Sequence, residues 1–220
     1  MAKGLTLVIA NKRYSSWSLR PWLAMTHFDV PFEEVVIPLD QDSTSPAILE
    51  HSAAGKVPVL HHGDITVWES LAILEYLADA FYDRPWWPTD PHAKARARTI
   101  AAEMHAGFGA MRPAMPMNLD KTYEPSAWAA DVSKDIARIQ GLWRDTRAKY
   151  GGDGDFLFGT FTIADAMYAP VVTRFKTYCV EMDDVSSAYA DAVLGLPAMQ
   201  KWTADAAEEP WVIDKYGPPE

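Results

Sequence analysis

Three prolines crowd the stretch "DRPWWPTDPHAK", at Pro85, Pro88 and Pro91. Proline removes a backbone donor and clashes with the turn before it, so repeated proline ends any regular element. The cluster divides the 220-residue chain into halves of different periodicity. Before it, short apolar runs alternate with helical patterns. After it, strand signals fade and helical spacing takes over. The chain must therefore join an α/β unit to an all-α unit. The boundaries implied are residues 1–84, a proline-rich linker over 85–92, and a helical domain over 93–220.

Within the first half, "LTLVIA" (Leu5 to Ala10) is a continuous apolar run, as in a strand covered on both faces. Leu19, Trp22, Leu23 and Met25 to Phe28 recur at helical spacing from Ser18 to Phe28, with Pro21 tolerable in the first turn. "FEEVVIPL" reads as a second strand ended by Pro38. "SPAILEHS" predicts a short helix capped by Ser45, with Pro46 at its first position. "VPVLHHGDITVWES" reads as two strands joined at His62-Gly63-Asp64. "ESLAILEYLADAFYD" sets Leu71, Leu74, Leu77, Ala78 and Phe81 on one helical face. The order is β-α-β-α-β-β-α. In the second half, helices are expected from Lys94 to about Ala110, from Ser126 to Tyr150, from Thr162, around Val185 to Val193, and from Pro197 to Ala207.

Charge narrows the function. The net charge of −10 repels nucleic acid and anionic lipid. No apolar segment approaches the ~18–20 residues of a membrane span. The opening apolar run is too short for a signal-peptide core. The single cysteine, Cys179, permits no internal disulfide and is expected to be a buried spectator. A cytoplasmic protein is expected. The first half is too short for a doubly wound nucleotide-binding domain and has no G-x-G-x-x-G. His61 and His62 lie in the turn without ligand partners at sensible spacing, so no metal is expected. His105 is read as a packed or solvated side chain.

Three stretches carry candidate chemistry. "NKRYSSWSLRPWL" places Ser15, Ser16 and Ser18 around Trp17 at a helix start. These serines serve as caps, or they hold an anion with the exposed N–H groups there. In "GKVPVL", Pro58 opens a strand; a cis Val57-Pro58 bond would turn the Val57 backbone toward an extended ligand. Only about 5–6% of X-Pro bonds are cis, so trans is the default from the residues alone. In "WESLAI", Ser70 caps the best helix or binds a carboxylate, while Glu69 would suit an ammonium. Together the three would hold a ligand with an amino acid at one end and a thiol in the middle, paired as an added strand.

These stretches, together with "FTIADAMYAPVV" and its capping box at Thr162 and Asp165, resemble those of the cytosolic glutathione S-transferases, a serine-type, zeta- or theta-like group. The resemblance spans essentially the whole chain. It implies a thioredoxin-like domain followed by an all-helical bundle, and transferase activity toward an apolar electrophile in detoxification. It implies Ser15, with Ser16 as its rival, as the hydroxyl that activates the glutathione thiol. It gives the cysteinyl contacts to Val57 and Pro58, the γ-glutamyl group to Glu69 and Ser70, and the glycine carboxylate to Lys56, with Lys12 and Arg13 as rivals. It implies glutathione as co-substrate, no metal, and a homodimer.

Trp17, Met111, Met115 and Met117 are the expected walls of the electrophile pocket, methionine being adaptable to varied apolar ligands. Trp17 stands where the zeta class has a cysteine. Arg174 resembles an arginine of the isomerases but sits about one turn early, and a helix-surface ion pair is expected for it. Alternatives are a glutathione-dependent isomerase of the maleylacetoacetate type, a reductase, and a non-enzymatic interaction module of the same fold.

Overall fold

The computed structural model describes residues 4–125 and 128–217. Four strands form one sheet: β1 (Leu5–Ala10), β2 (Phe32–Ile37), β3 (Val59–His62) and β4 (Ile65–Trp68), in the order β2-β1-β3-β4. β1 runs parallel to β2 and antiparallel to β3, and β3 runs antiparallel to β4. β1 is central and nearly fully buried, as its continuous apolar sequence requires. Alternation sorts its side chains. Leu5, Leu7 and Ile9 join the core under α1 (Ser16–His27) and α3 (Ser70–Ala80). Val8 points the other way, onto Ile48 of α2 (Thr44–His51). The turn between β3 and β4 is Gly63-Asp64, with Gly63 at φ 62°, which glycine adopts without penalty.

The second half is helical: α4 (Pro91–Ala106), α5 (Met111–Ala114), α6 (Trp128–Tyr150), α7 (Ile163–Thr177), α8 (Asp184–Gly195) and α9 (Pro197–Ala207). α7 is the hub and is buried along almost its whole length. Its start is the expected capping box: the Thr162 side chain accepts from the backbone of Asp165, and the Asp165 carboxylate accepts from the Thr162 backbone. That carboxylate also accepts from the Leu157 amide at 3.1 Å, and burial pushes its pKa up to about 6.

The proline-rich connector is packed in place. Trp86 is buried, and its carbonyl accepts from the Ile163 amide at 2.9 Å. One apolar cluster runs from β1 through Trp86 and Trp87 into α4 and α7, so the halves share a core.

Some boundaries differ from expectation. α1 starts at Ser16, not Ser18, so Pro21 falls in its second turn. The N-cap of α2 is Ser43, not Ser45, and its side chain makes no capping bond. α4 starts at Pro91, inside the expected linker, because the Asp90 carboxylate caps it by accepting from the Ala93 amide at 2.8 Å. The expected start of α6 at Ser126 lies outside the described residues. Cys179 is exposed, not buried: it follows α7 at φ 48°, where the chain turns outward.

Candidate functional site

A cavity of about 500 Å³ opens between the two halves. The first half contributes three segments to it, Tyr14 to Trp17, Gly55 to Pro58, and Trp68 to Ser70, together with Leu39 and Ile48. The three segments are the stretches singled out in the sequence. Sheet topology brings them together, because each follows or precedes a strand end on the same side of the sheet. The Val57-Pro58 bond is cis, against the default from the residues alone.

The two serines at α1 differ. Ser15 is the N-cap: its Oγ accepts weakly from the Ser18 amide at 3.4 Å and lies 2.7 Å from the Ser18 Oγ, to which it donates. The Ser18 Oγ in turn accepts from the Ala10 amide at 3.1 Å. Ser16 is the first helical residue. Its Oγ accepts from Nη2 of Arg174 at 3.1 Å. A hydroxyl that accepts from a guanidinium keeps its own proton for another acceptor.

Arg174 departs from expectation. It makes no surface ion pair; it is buried, lines the cavity, and donates to the carbonyls of Met115 (2.7 Å) and Pro170 (3.3 Å) as well as to Ser16. Burial, and then repulsion from Arg112, push its pKa down to about 10. Arg112 also lines the cavity. Its guanidinium lies 4.8 Å from the centroid of the Trp17 ring, and that of Arg20 lies 4.3 Å from the same centroid. Two arginines therefore lie against Trp17, and Arg174 is near enough to Arg20 to repel it, in a chain of net charge −10.

At α3, Ser70 is the first helical residue and not the cap. Glu69 holds the cap position at φ 69° without a side-chain capping bond. The Ser70 Oγ accepts from Nη1 of Arg20, a long bond of 3.4 Å. Glu69 is exposed at the mouth, with its carboxylate 3.6 Å from Nε2 of His105. His105 also meets the edge of Trp17, and burial followed by the nearby Arg20 lowers its pKa.

Of the residues expected at the site, Ser15, Ser16, Trp17, Lys56, Val57, Pro58, Glu69 and Ser70 line the cavity, as does Met117. Met111 and Met115 do not: both are fully buried in the shared core. Lys12 and Arg13 are spent elsewhere. Lys12 pairs with Glu34 and Asp205, and Arg13 donates to the carbonyls that end α9. The reading missed Tyr14, Arg112 and Tyr216 on the cavity wall and Arg20 behind it. Arg20 and Arg174 each interrupt a run of buried side chains, a signal that was available. Tyr216 had none. It arrives on the C-terminal segment, which the Ile213 amide ties to the Tyr14 hydroxyl and Nδ2 of Asn118 ties at the Tyr216 carbonyl.

Residues 14–80 match the model of the glutathione S-transferase N-terminal domain, and residues 95–205 that of the C-terminal domain. A probable maleylacetoacetate isomerase of Caenorhabditis elegans is 34% identical over 76% of this chain and 77% of its own length. A chloroplastic glutathione S-transferase of Arabidopsis thaliana is 26% identical over 90% of this chain, which spans only 65% of that relative's length. The crystal structure of a Burkholderia glutathione transferase homolog with bound glutathione superposes with a TM-score of 0.71 at 18% identity, covering 94% of this chain and 99% of that one. The four-stranded mixed sheet, the helical half behind it, and both domain models lead to one conclusion: this chain belongs to the glutathione S-transferase family.

Proposed function

We propose that the cavity binds glutathione, lowers the pKa of its thiol, and presents the thiolate to an electrophile seated beside it. The observation that carries this reading is the Arg174-to-Ser16 hydrogen bond at the start of α1. A free thiol titrates near pH ~8.5, so little is ionised at neutral pH. A hydroxyl proton at a helix N-terminus, backed by a buried guanidinium, favours the anion. Each pKa unit corresponds to ~1.4 kcal/mol. Ser16 is the better donor, because Ser15 directs its proton to Ser18. The thiol proton leaves to solvent. Sulfur then forms a bond to carbon while the leaving group departs with the bonding pair.

In this reading residues 1–84 hold the tripeptide, the 85–92 connector fixes the angle between domains, and 93–220 supply the electrophile wall. Val57 would pair with the cysteinyl main chain, Glu69 and Ser70 would hold the γ-glutamyl end, and the exposed Lys56 would meet the glycine carboxylate. A cytoplasmic homodimer belongs to the same reading. Bound glutathione in the structurally similar Burkholderia homolog is consistent with this ligand. The test is a spectroscopic titration of the bound thiol. Ser16→Ala should raise its pKa by about one to two units, whereas Ser15→Ala should leave it near the wild-type value. An unchanged pKa in Ser16→Ala overturns the serine role.

A second reading, glutathione-dependent isomerisation of a carboxylate-bearing substrate, is favoured by one observation. The wall expected to be apolar carries Arg112 and Arg174 in place of Met111 and Met115. Guanidinium groups suit carboxylates. Faster turnover of a cis-diketo acid than of a neutral aryl halide would select this reading; the reverse would select conjugation.

A further inference from the structure

Arg20 sits in a setting that stability alone does not explain. It is fully buried on α1, and its Nε and Nη2 have no hydrogen-bond partner among the described residues. Its cationic neighbours are Arg112 and Arg174. Among the described residues no carboxylate forms an ion pair with it, and Glu69, next to Ser70 in the chain, faces His105. A buried charge without a counter-ion is costly. What Arg20 does touch is specific: the face of Trp17, and the Ser70 Oγ at the first turn of α3. Ser70 lines the cavity and Arg20 does not.

We infer that Arg20 is a positioning residue for carboxylate recognition at the start of α3. The deduction follows hydrogen-bond direction. An arginine has donors only, so the Ser70 Oγ must accept from it. The Ser70 proton is then left to point into the cavity, where α3 also presents its unpaired amides. A ligand carboxylate there receives a directed hydroxyl, the helix N-terminus, and a guanidinium charge one side chain away. The serine conducts the influence of a cation that never meets the ligand. Arg20 is fully buried over the ring of Trp17, which itself lines the cavity.

This role rests on the glutathione reading above, where the carboxylate belongs to the γ-glutamyl group. Calorimetric titration of the full-length protein tests it, with glutathione and with the analogue whose γ-glutamyl group is replaced by γ-aminobutyrate, which lacks that carboxylate. Arg20→Met should weaken glutathione about ten- to hundredfold, while the analogue changes by less than about threefold. Turnover at saturating glutathione should stay within about threefold of wild type, as for a lost ground-state contact. In a Ser70→Ala background the same substitution should have little further effect. Arg20→Lys should recover part of the lost affinity.

Equal weakening of both ligands, or unchanged glutathione affinity in Arg20→Met, overturns the inference. Should Arg20→Met fail to fold, the ratio of the two affinities in Arg20→Lys decides: a ratio equal to wild type overturns it. Failure of the wild-type protein to bind glutathione overturns the functional reading itself, and is seen before any variant is made.

Discussion

The two helix starts that border the cavity are built differently. At α1, Ser15 caps and Ser16 faces a buried guanidinium from α7. At α3, no side chain caps; Glu69 takes a left-handed backbone conformation and Ser70 faces a buried guanidinium from α1. α1 divides the cap and the guanidinium contact between two adjacent serines. α3 has no side-chain cap, and among the described residues its Ser70 is held by Arg20 alone. In each case the hydroxyl oxygen accepts from an arginine of another element.

The largest effect expected from breaking this comparison is at Ser16. Ser16→Ala should lower kcat for conjugation about a hundredfold, the scale of losing one aimed donor to a developing or resident anion. Steady-state rates against pH would show it as a profile displaced upward, because the bound thiol ionises later. A profile that keeps its wild-type midpoint would equate the two α1 serines. Next comes α3. Ser70→Ala should weaken glutathione about tenfold while saturated turnover persists, read as KM against kcat.

The start of α7 sharpens the contrast, because there the capping group itself titrates. Burial raises the pKa of folded Asp165 from 3.8 to about 6. The folded protein thus holds a proton that the unfolded chain has released. This contribution to stability is fully present below 3.8 and is lost as pH rises through about 6. Urea midpoints measured across that window should fall with rising pH, and Asp165→Asn should flatten that part of the slope. The smallest effect is at Ser15. Ser15→Ala should cost about 1 kcal/mol of stability, the usual loss of an N-cap, and leave the thiol pKa in place. Thermal unfolding beside the thiol titration would separate the two roles.

Much of the fold was legible because the signals are local. The prolines at 85, 88 and 91 did mark where strands end and helices begin, although α4 starts on the last of them. Thr162 and Asp165 announced their capping box three residues apart. The cap of α2 is not legible in the same way, because Ser43 and Ser45 are both serines beside the helix and only backbone geometry separates them. The methionines of "MRPAMPM" were assigned together, yet Met117 reaches the cavity while Met111 and Met115 turn into the core. Their backbone is tied to distant residues that no local pattern reveals: the Met115 carbonyl accepts from Arg174 and the Met111 amide donates to Asp135.

By itself, the sequence determined the two-part layout, the strand and helix order, and the serine and glutamate-serine stretches at the site. Periodicity and capping act over a few residues and can be read there. Tertiary structure alone decided which serine meets a guanidinium, and that Arg112 and Arg174 line the far wall beside Met117 while Met111 and Met115 do not. The Ser16–Arg174 contact spans 158 residues and the Ser70–Arg20 contact spans 50. The direction of a hydrogen bond is set by its partner: Ser70 meets Arg20 when α3 packs on α1 within the first half, and Ser16 meets Arg174 only when the two halves close on a shared core.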